Sequence, residues 1–116
     1  MRTLKTYYKV VSIVRYSNGR RRFWSAWVRC PVYSPVRYKI DQWTYPINSI
    51  CGFGLFIFDT IENALDWKSE YVKGRWETTI FECAIGEILP IKRPIDFPSG
   101  TIMTDRVKIL KEVKLL

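Results

Sequence analysis

The residues able to do chemistry in this chain sit in its first third, where Arg20, Arg21, Arg22, Arg37 and Lys39 are interleaved with Trp24, Tyr38 and Trp43. Guanidinium and ammonium groups neutralise phosphates and release their counterions, and flat aromatic rings stack unpaired bases at about 1 to 3 kcal/mol each. These residues form the candidate binding site, the cations for charge neutralisation and the rings for stacking. Trp27, Arg29, Tyr33 and Tyr45 extend the same pattern. The charge distribution points the same way. The first forty residues hold ten Lys or Arg and no Asp or Glu, whereas residues 41–116 hold nine cations against eleven acids. A surface built only for solubility mixes the two signs. An acid-free third sets up a positive potential that draws polyanions. The partner is a nucleic acid or the acidic surface of a host complex that itself binds nucleic acid, where Arg and Trp serve as interface anchors. Composition does not separate the two.

Bond-making chemistry has little to work with. The chain contains no histidine, which removes the usual general base, proton shuttle and neutral metal ligand. Asp66 with Glu70, and Glu82 with Glu87, read as solvated helix and strand positions rather than a coupled carboxylate pair. Cys30, Cys51 and Cys83 are odd in number and widely spaced, so a disulfide framework and a zinc site are both unexpected. Free thiols acting as small hydrophobes are the expectation. Gly52-Phe53-Gly54 is followed by bulky residues and not by Lys-Ser or Lys-Thr, so it is no phosphate loop. No catalytic residue, metal or cofactor is implied.

The elements that must position the candidate site follow from periodicity. Tyr7 to Tyr16 alternates with period two, Tyr8, Val10, Ser12 and Val14 against Lys9, Val11, Ile13 and Arg15, which predicts a strand. Asn18-Gly19 predicts a tight hairpin turn, and Phe23 to Cys30 the return strand, with a large aromatic residue on each face. Pro31, Pro35 and Pro46 cut the next stretch into short extended pieces, of which Val36 to Ile40 is an edge strand. The apolar run Gly52 to Phe58 predicts a strand covered on both faces, at the centre of the sheet. Asp59 or Thr60 caps a helix with Ile61, Ala64, Leu65, Tyr71 and Val72 on its apolar face and Glu62 completing a capping box, ending near Gly74. Trp76 to Leu89 returns to strand. Pro90, Pro94 and Pro98 mark an irregular connector, and Val107 to Leu115 closes the chain as a strand with Val107, Ile109, Val113 and Leu115 on one side. The expectation is a single α+β domain over 1–116, mainly antiparallel, with about six strands and one or two helices. No stretch approaches the roughly 18 to 20 apolar residues that cross a bilayer, and no signal-peptide core is present. A cytoplasmic location and no membrane partner are expected.

Three segments carry a family likeness: Gly54-Leu55-Phe56-Ile57-Phe58-Asp59-Thr60 with Ala64 four residues on, Ile80 to Ala84, and Thr104 to Leu110. Their layout resembles that of ADP-ribosyltransferase-like domains, in which a Gly-Leu-Tyr-Phe strand enters a helix and later strands complete a split sheet around a dinucleotide. This chain has Phe56 where that family has its nicotinamide-stacking tyrosine, lacks the family histidine, and has no glutamate in its last strands at the catalytic position. The resemblance implies a shared layout without the matched catalytic residues, and leaves a divergent ADP-ribosyltransferase-like or nucleotide-binding domain as an alternative function. The Gly-Leu-Phe-Ile-Phe and Asp-Arg-Val-Lys-Ile-Leu segments are also similar to small phage-encoded proteins. That likeness implies a mobile-element origin and an inhibitor of a host defence complex. A virion or assembly protein pairing through the edge strand Val36 to Ile40 is a further alternative.

Overall fold

Alternation of apolar and polar residues sets eight short strands, and among the described residues one amphipathic segment becomes helix. The structure is a computed structural model that describes residues 5–25, 36–46, 55–71, 77–90 and 100–114. In chain order the elements are β1 (Tyr7–Arg15), β2 (Arg21–Ser25), β3 (Arg37–Tyr38), β4 (Trp43–Thr44), β5 (Leu55–Phe58), α1 (Ile61–Tyr71), β6 (Thr78–Ile85), β7 (Thr101–Thr104) and β8 (Val107–Glu112).

The strands pair antiparallel in the order β3-β2-β1-β6-β8-β4. The two ends of that order, β3 and β4, are neighbours in sequence, so the sheet curls until its edges approach and the barrel nearly closes. The turn between them is bound to β8: the Asp41 N–H donates to the Ile109 carbonyl at 2.9 Å, and the Gln42 N–H donates to the Lys39 carbonyl at 3.2 Å. Asp41 takes a left-handed backbone there, φ 64°, a conformation that Asp tolerates better than most residues. At the opposite hairpin Gly19 supplies φ 84°, the Tyr16 N–H donates to the Arg20 carbonyl at 2.9 Å, and Asn18 Oδ1 accepts the Arg20 N–H at 3.0 Å. This is the turn predicted from Asn-Gly.

Curling gives the sheet two apolar faces. Val11, Phe23, Tyr38, Ile57, Phe81 and Ile109 fill the inside, while Val10, Phe58 and Ile80 lie outside beneath Ala64 and Trp67 of α1. Trp67 is fully buried, edge-on to Phe56 with centroids 5.5 Å apart, and is the main anchor of the helix. It was not among the positions read as the helix's apolar face. The cap is Thr60, whose Oγ1 accepts the Asn63 N–H at 3.1 Å; Asp59 instead accepts from the Asn63 side-chain amide at 2.8 Å, so no box forms with Glu62. Gly100, at φ 80°, crosses that cap so closely that a Cβ would fall on Asn63 and Asp59.

The α+β expectation holds, and four details differ. β5 is not the centre of the sheet: it meets β1 at one pair, Tyr8–Phe58, and otherwise pairs β7, while β1 and β6 are central. Its run is apolar because barrel interior lies on one side and α1 on the other. β4 and β7, two and four residues long, have no counterpart among the expected strands. Val113 leaves the side of Val107 and Ile109 and packs on the helix side. Leu110 explains this, since Cys83 pairs with Ile109 and Glu82 with Lys111, leaving Leu110 unpaired as a bulge that reverses the faces beyond it. Residues 26–30 of the expected return strand, Cys30, Cys51, Gly74, Trp76 and Leu115 lie outside the described residues; Cys83 is a buried free thiol. Among the described residues no helix is long and apolar enough to cross a membrane.

Inside the barrel lies a lysine. Lys9 is 2% exposed, and its Nζ donates to the Phe56 carbonyl at 2.6 Å and sits 4.2 Å from the Phe56 ring centroid. Burial lowers its pKa to about 7, against a weak opposite pull from the Cys83 thiol. Among the described residues no carboxylate pairs with it. The folded chain therefore sheds this proton near pH 7, while the unfolded chain keeps it to about pH 10.4. The cost of burial is full below pH 7 and is relieved as pH rises toward 10, by on the order of 1 kcal/mol per pH unit. Urea unfolding at pH 6, 8 and 9 should show Lys9→Met more stable than wild type by about 1 to 4 kcal/mol at pH 6, with the advantage shrinking as pH rises. An advantage that does not change with pH contradicts the neutral-amine assignment.

Candidate nucleic-acid interface

Strand register decides which cations face outward. Val14 pairs with Arg22, Ser12 with Trp24, and Trp24 with Arg37, which puts Arg22, Trp24 and Arg37 in one row on the outer surface. Arg37 and Arg22 are exposed and Trp24 is half-buried between them. The Arg22 guanidinium stacks on Tyr16, 4.6 Å from the ring centroid. A guanidinium lying on a ring keeps its in-plane N–H donors directed away from the ring, free for a phosphate. Arg20, in the exposed turn, adds a further charge.

The same register removes two candidates. Arg21 alternates to the inner side with Phe23 and stands directly opposite Arg15. Two like charges across a ladder repel, and each is met by an acid. Arg21 bonds Glu112 at 3.0 Å, Arg15 bonds Glu77 through Nε at 2.7 Å, and Thr79 Oγ1 donates to Glu112 at 2.8 Å. The hydrogen bond from Arg21 holds the Glu112 carboxyl below its usual range, as the one from Arg15 does for Glu77. Arg21 is thus an ion-pair partner, not a free phosphate contact. Tyr38 is also displaced from the site. Its pairing with Phe23 turns the ring inward, where it is 1% exposed and cannot stack on a ligand. Burial raises the pKa of its hydroxyl, which has no hydrogen-bond partner among the described residues. Trp27, Arg29 and Tyr33 lie outside the described residues.

The remaining predicted residues gather where the barrel closes. Arg37 and Lys39 on one side, and Gln42, Trp43 and Tyr45 on the other, line an open groove of roughly 470 Å³. Across the β4–β8 ladder Trp43 faces Lys108 while Thr44 faces Val107, so Trp43 and Lys108 share the outer side. Lys108 Nζ and the Arg106 guanidinium stand 4.8 and 4.7 Å from the indole centroid. Arg106 lies over Gly86 together with Asp105: an added Cβ there would fall on the Asp105 carboxylate first and then on Cγ and Nε of Arg106. Sequence reasoning missed Arg106 and Lys108 because the later chain balances its charges. The signal was local: in Arg106-Val107-Lys108-Ile109 the cations alternate with core residues.

The arrangement can neutralise phosphates and stack rings. Among the described residues no group of acidic, Cys or His side chains could hold a metal ion. Phe56, set against nicotinamide by the family likeness, is edge-on to both Phe58 and Trp67 and lies under the Lys9 amine. Gly86→Ala should push Arg106 off the Trp43 ring while the barrel persists. The check is the Trp43 indole N–H signal in nitrogen–proton NMR, assigned with Trp43→Phe: it should move while the Trp67 signal stays. An unmoved Trp43 signal contradicts the layered packing of Gly86, Arg106 and Trp43.

No family model, curated protein or solved structure matches the chain.

Proposed function

We propose that this chain is a non-enzymatic binding protein that grips the phosphate backbone of a nucleic acid on the outer face of its barrel. The observation that carries the reading is the row Arg22–Trp24–Arg37, with Arg22 already seated on Tyr16. No carboxylate occurs on β1, β2 or β3 to compete for these cations. Glu77 and Glu112, which the fold brings against β1 and β2, bind Arg15 and Arg21 instead. The outward cations are left to an external anion. The likeness to phage-encoded segments fits action in a host cytoplasm, against a host defence complex that binds nucleic acid.

The triple variant Arg20→Glu, Arg22→Glu, Arg37→Glu should lose at least about 100-fold in affinity for oligonucleotides, with a melting temperature within about 2 °C of wild type because all three residues are exposed. Arg21→Ala should do the reverse, costing up to about 1 kcal/mol of stability through its partly exposed pair with Glu112 and leaving affinity nearly intact. Fluorescence anisotropy across a salt series reads both. Each phosphate contact should contribute about −0.9 to the log–log salt slope on duplex DNA. Absence of binding to RNA and DNA at low salt overturns the reading, and capture of an acidic protein by the same arginines would replace it.

A further inference from the structure

We infer that the groove where β3 and β4 approach is a stacking site for an unpaired base, so that the preferred ligand is a single strand. This rests on the reading of the outer face as a nucleic-acid interface and adds to it a ligand class and a specific pair of rings. Arg22 and Arg37 bind phosphates, which a duplex and a single strand both offer. Rings do not serve a duplex in the same way, because its bases are already stacked on one another. In this groove Trp43 is 37% exposed and Tyr45 55% exposed. An indole packed against two cations with part of its ring in solvent, and an exposed phenol two residues on, match a flat ligand.

The surroundings are suited to such a ligand. Trp43 is held by its ladder pairing to Lys108 and by the Arg106 guanidinium on its ring, so little side-chain freedom remains to be lost on stacking. The two cations already satisfy the electron-rich indole, which leaves its exposed part to a neutral aromatic surface rather than to a third cation. Arg37 and Lys39 on the opposite wall are placed for the phosphates flanking the stacked base, and among the described residues no carboxylate lines the groove. At roughly 470 Å³ the groove lies within the range of about 300 to 1,000 Å³ typical of small-molecule sites, enough for a base and its sugar.

The test compares a 12-residue oligo-dT, the same length of oligo-U and a hairpin duplex for wild type, Trp43→Leu and Tyr45→Ala, each first checked for an unchanged melting temperature. Wild type should bind the single strands at least about 10-fold more tightly than the duplex. Trp43→Leu should lower single-strand affinity by about 5- to 150-fold, with the salt slope and duplex affinity unchanged. Photocrosslinks from 5-iodouracil should map to Trp43 or Tyr45. Equal affinity for duplex and single strand, an unaffected Trp43→Leu variant, or crosslinks confined to other residues would overturn the stacking site while leaving the backbone-binding reading standing. Failure of every oligonucleotide to bind, including when poly-glutamate binds, would overturn the backbone-binding reading itself.

Discussion

The structure depends on the closing of a curled sheet by one short turn. The hydrogen bond from the Asp41 N–H to the Ile109 carbonyl ties the β3–β4 corner to β8, which lies four strands from β3 in the ladder order. That closure separates inside from outside. Without it β3 is a two-residue edge strand with little to hold it. With it, Phe23 and Tyr38 become interior packing and the alternate residues Arg22, Trp24 and Arg37 become a surface. The function proposed for the outer face is therefore a consequence of how the interior is satisfied.

The same partition governs the charges. A strand that carries adjacent arginines must send them to opposite faces, and the fold treats the two faces differently. Inward-turning Arg15 and Arg21 are met by Glu77 and Glu112, which come from the later, acid-containing part of the chain. Among the described residues no acid meets the outward-turning Arg22 and Arg37. Lys9, a cation driven into the core, keeps a carbonyl and aromatic faces for company and gives up its proton near neutrality. A charge count over the first forty residues merges these three fates, and only the register separates them.

Much of the architecture was legible in the residues. The alternation from Tyr7 to Arg15, the Asn18-Gly19 turn and the helix after Thr60 all reflect local preferences, and local preferences survive folding. What escaped was set by distant partners. The central place given to Gly52–Phe58 failed because burial on both faces arises equally from a barrel wall under a helix. Val113 changed face because of one unpaired residue, Leu110, whose bulge has no sequence signature. In the candidate site the exposed cations Arg20, Arg22, Arg37 and Lys39 and the ring of Trp43 stand on the surface as read, whereas Tyr38 and Arg21 do not serve, since one step of alternation turned each inward. Arg106 and Lys108 were hidden by distance along the chain, more than sixty residues from the tryptophan they flank.

The central claim is that the outer face, and not the hairpin's inner end, is the binding surface. Its most direct test is the nitrogen–proton NMR spectrum of the labelled chain during titration with a short oligo-dT at low salt. The account predicts shifts at Arg22, Trp24, Arg37, Trp43 and Tyr45 and none at Arg15, Arg21 or Glu112. Shifts centred on the Arg15–Arg21 end, or a spectrum unchanged at saturating oligonucleotide, would contradict it.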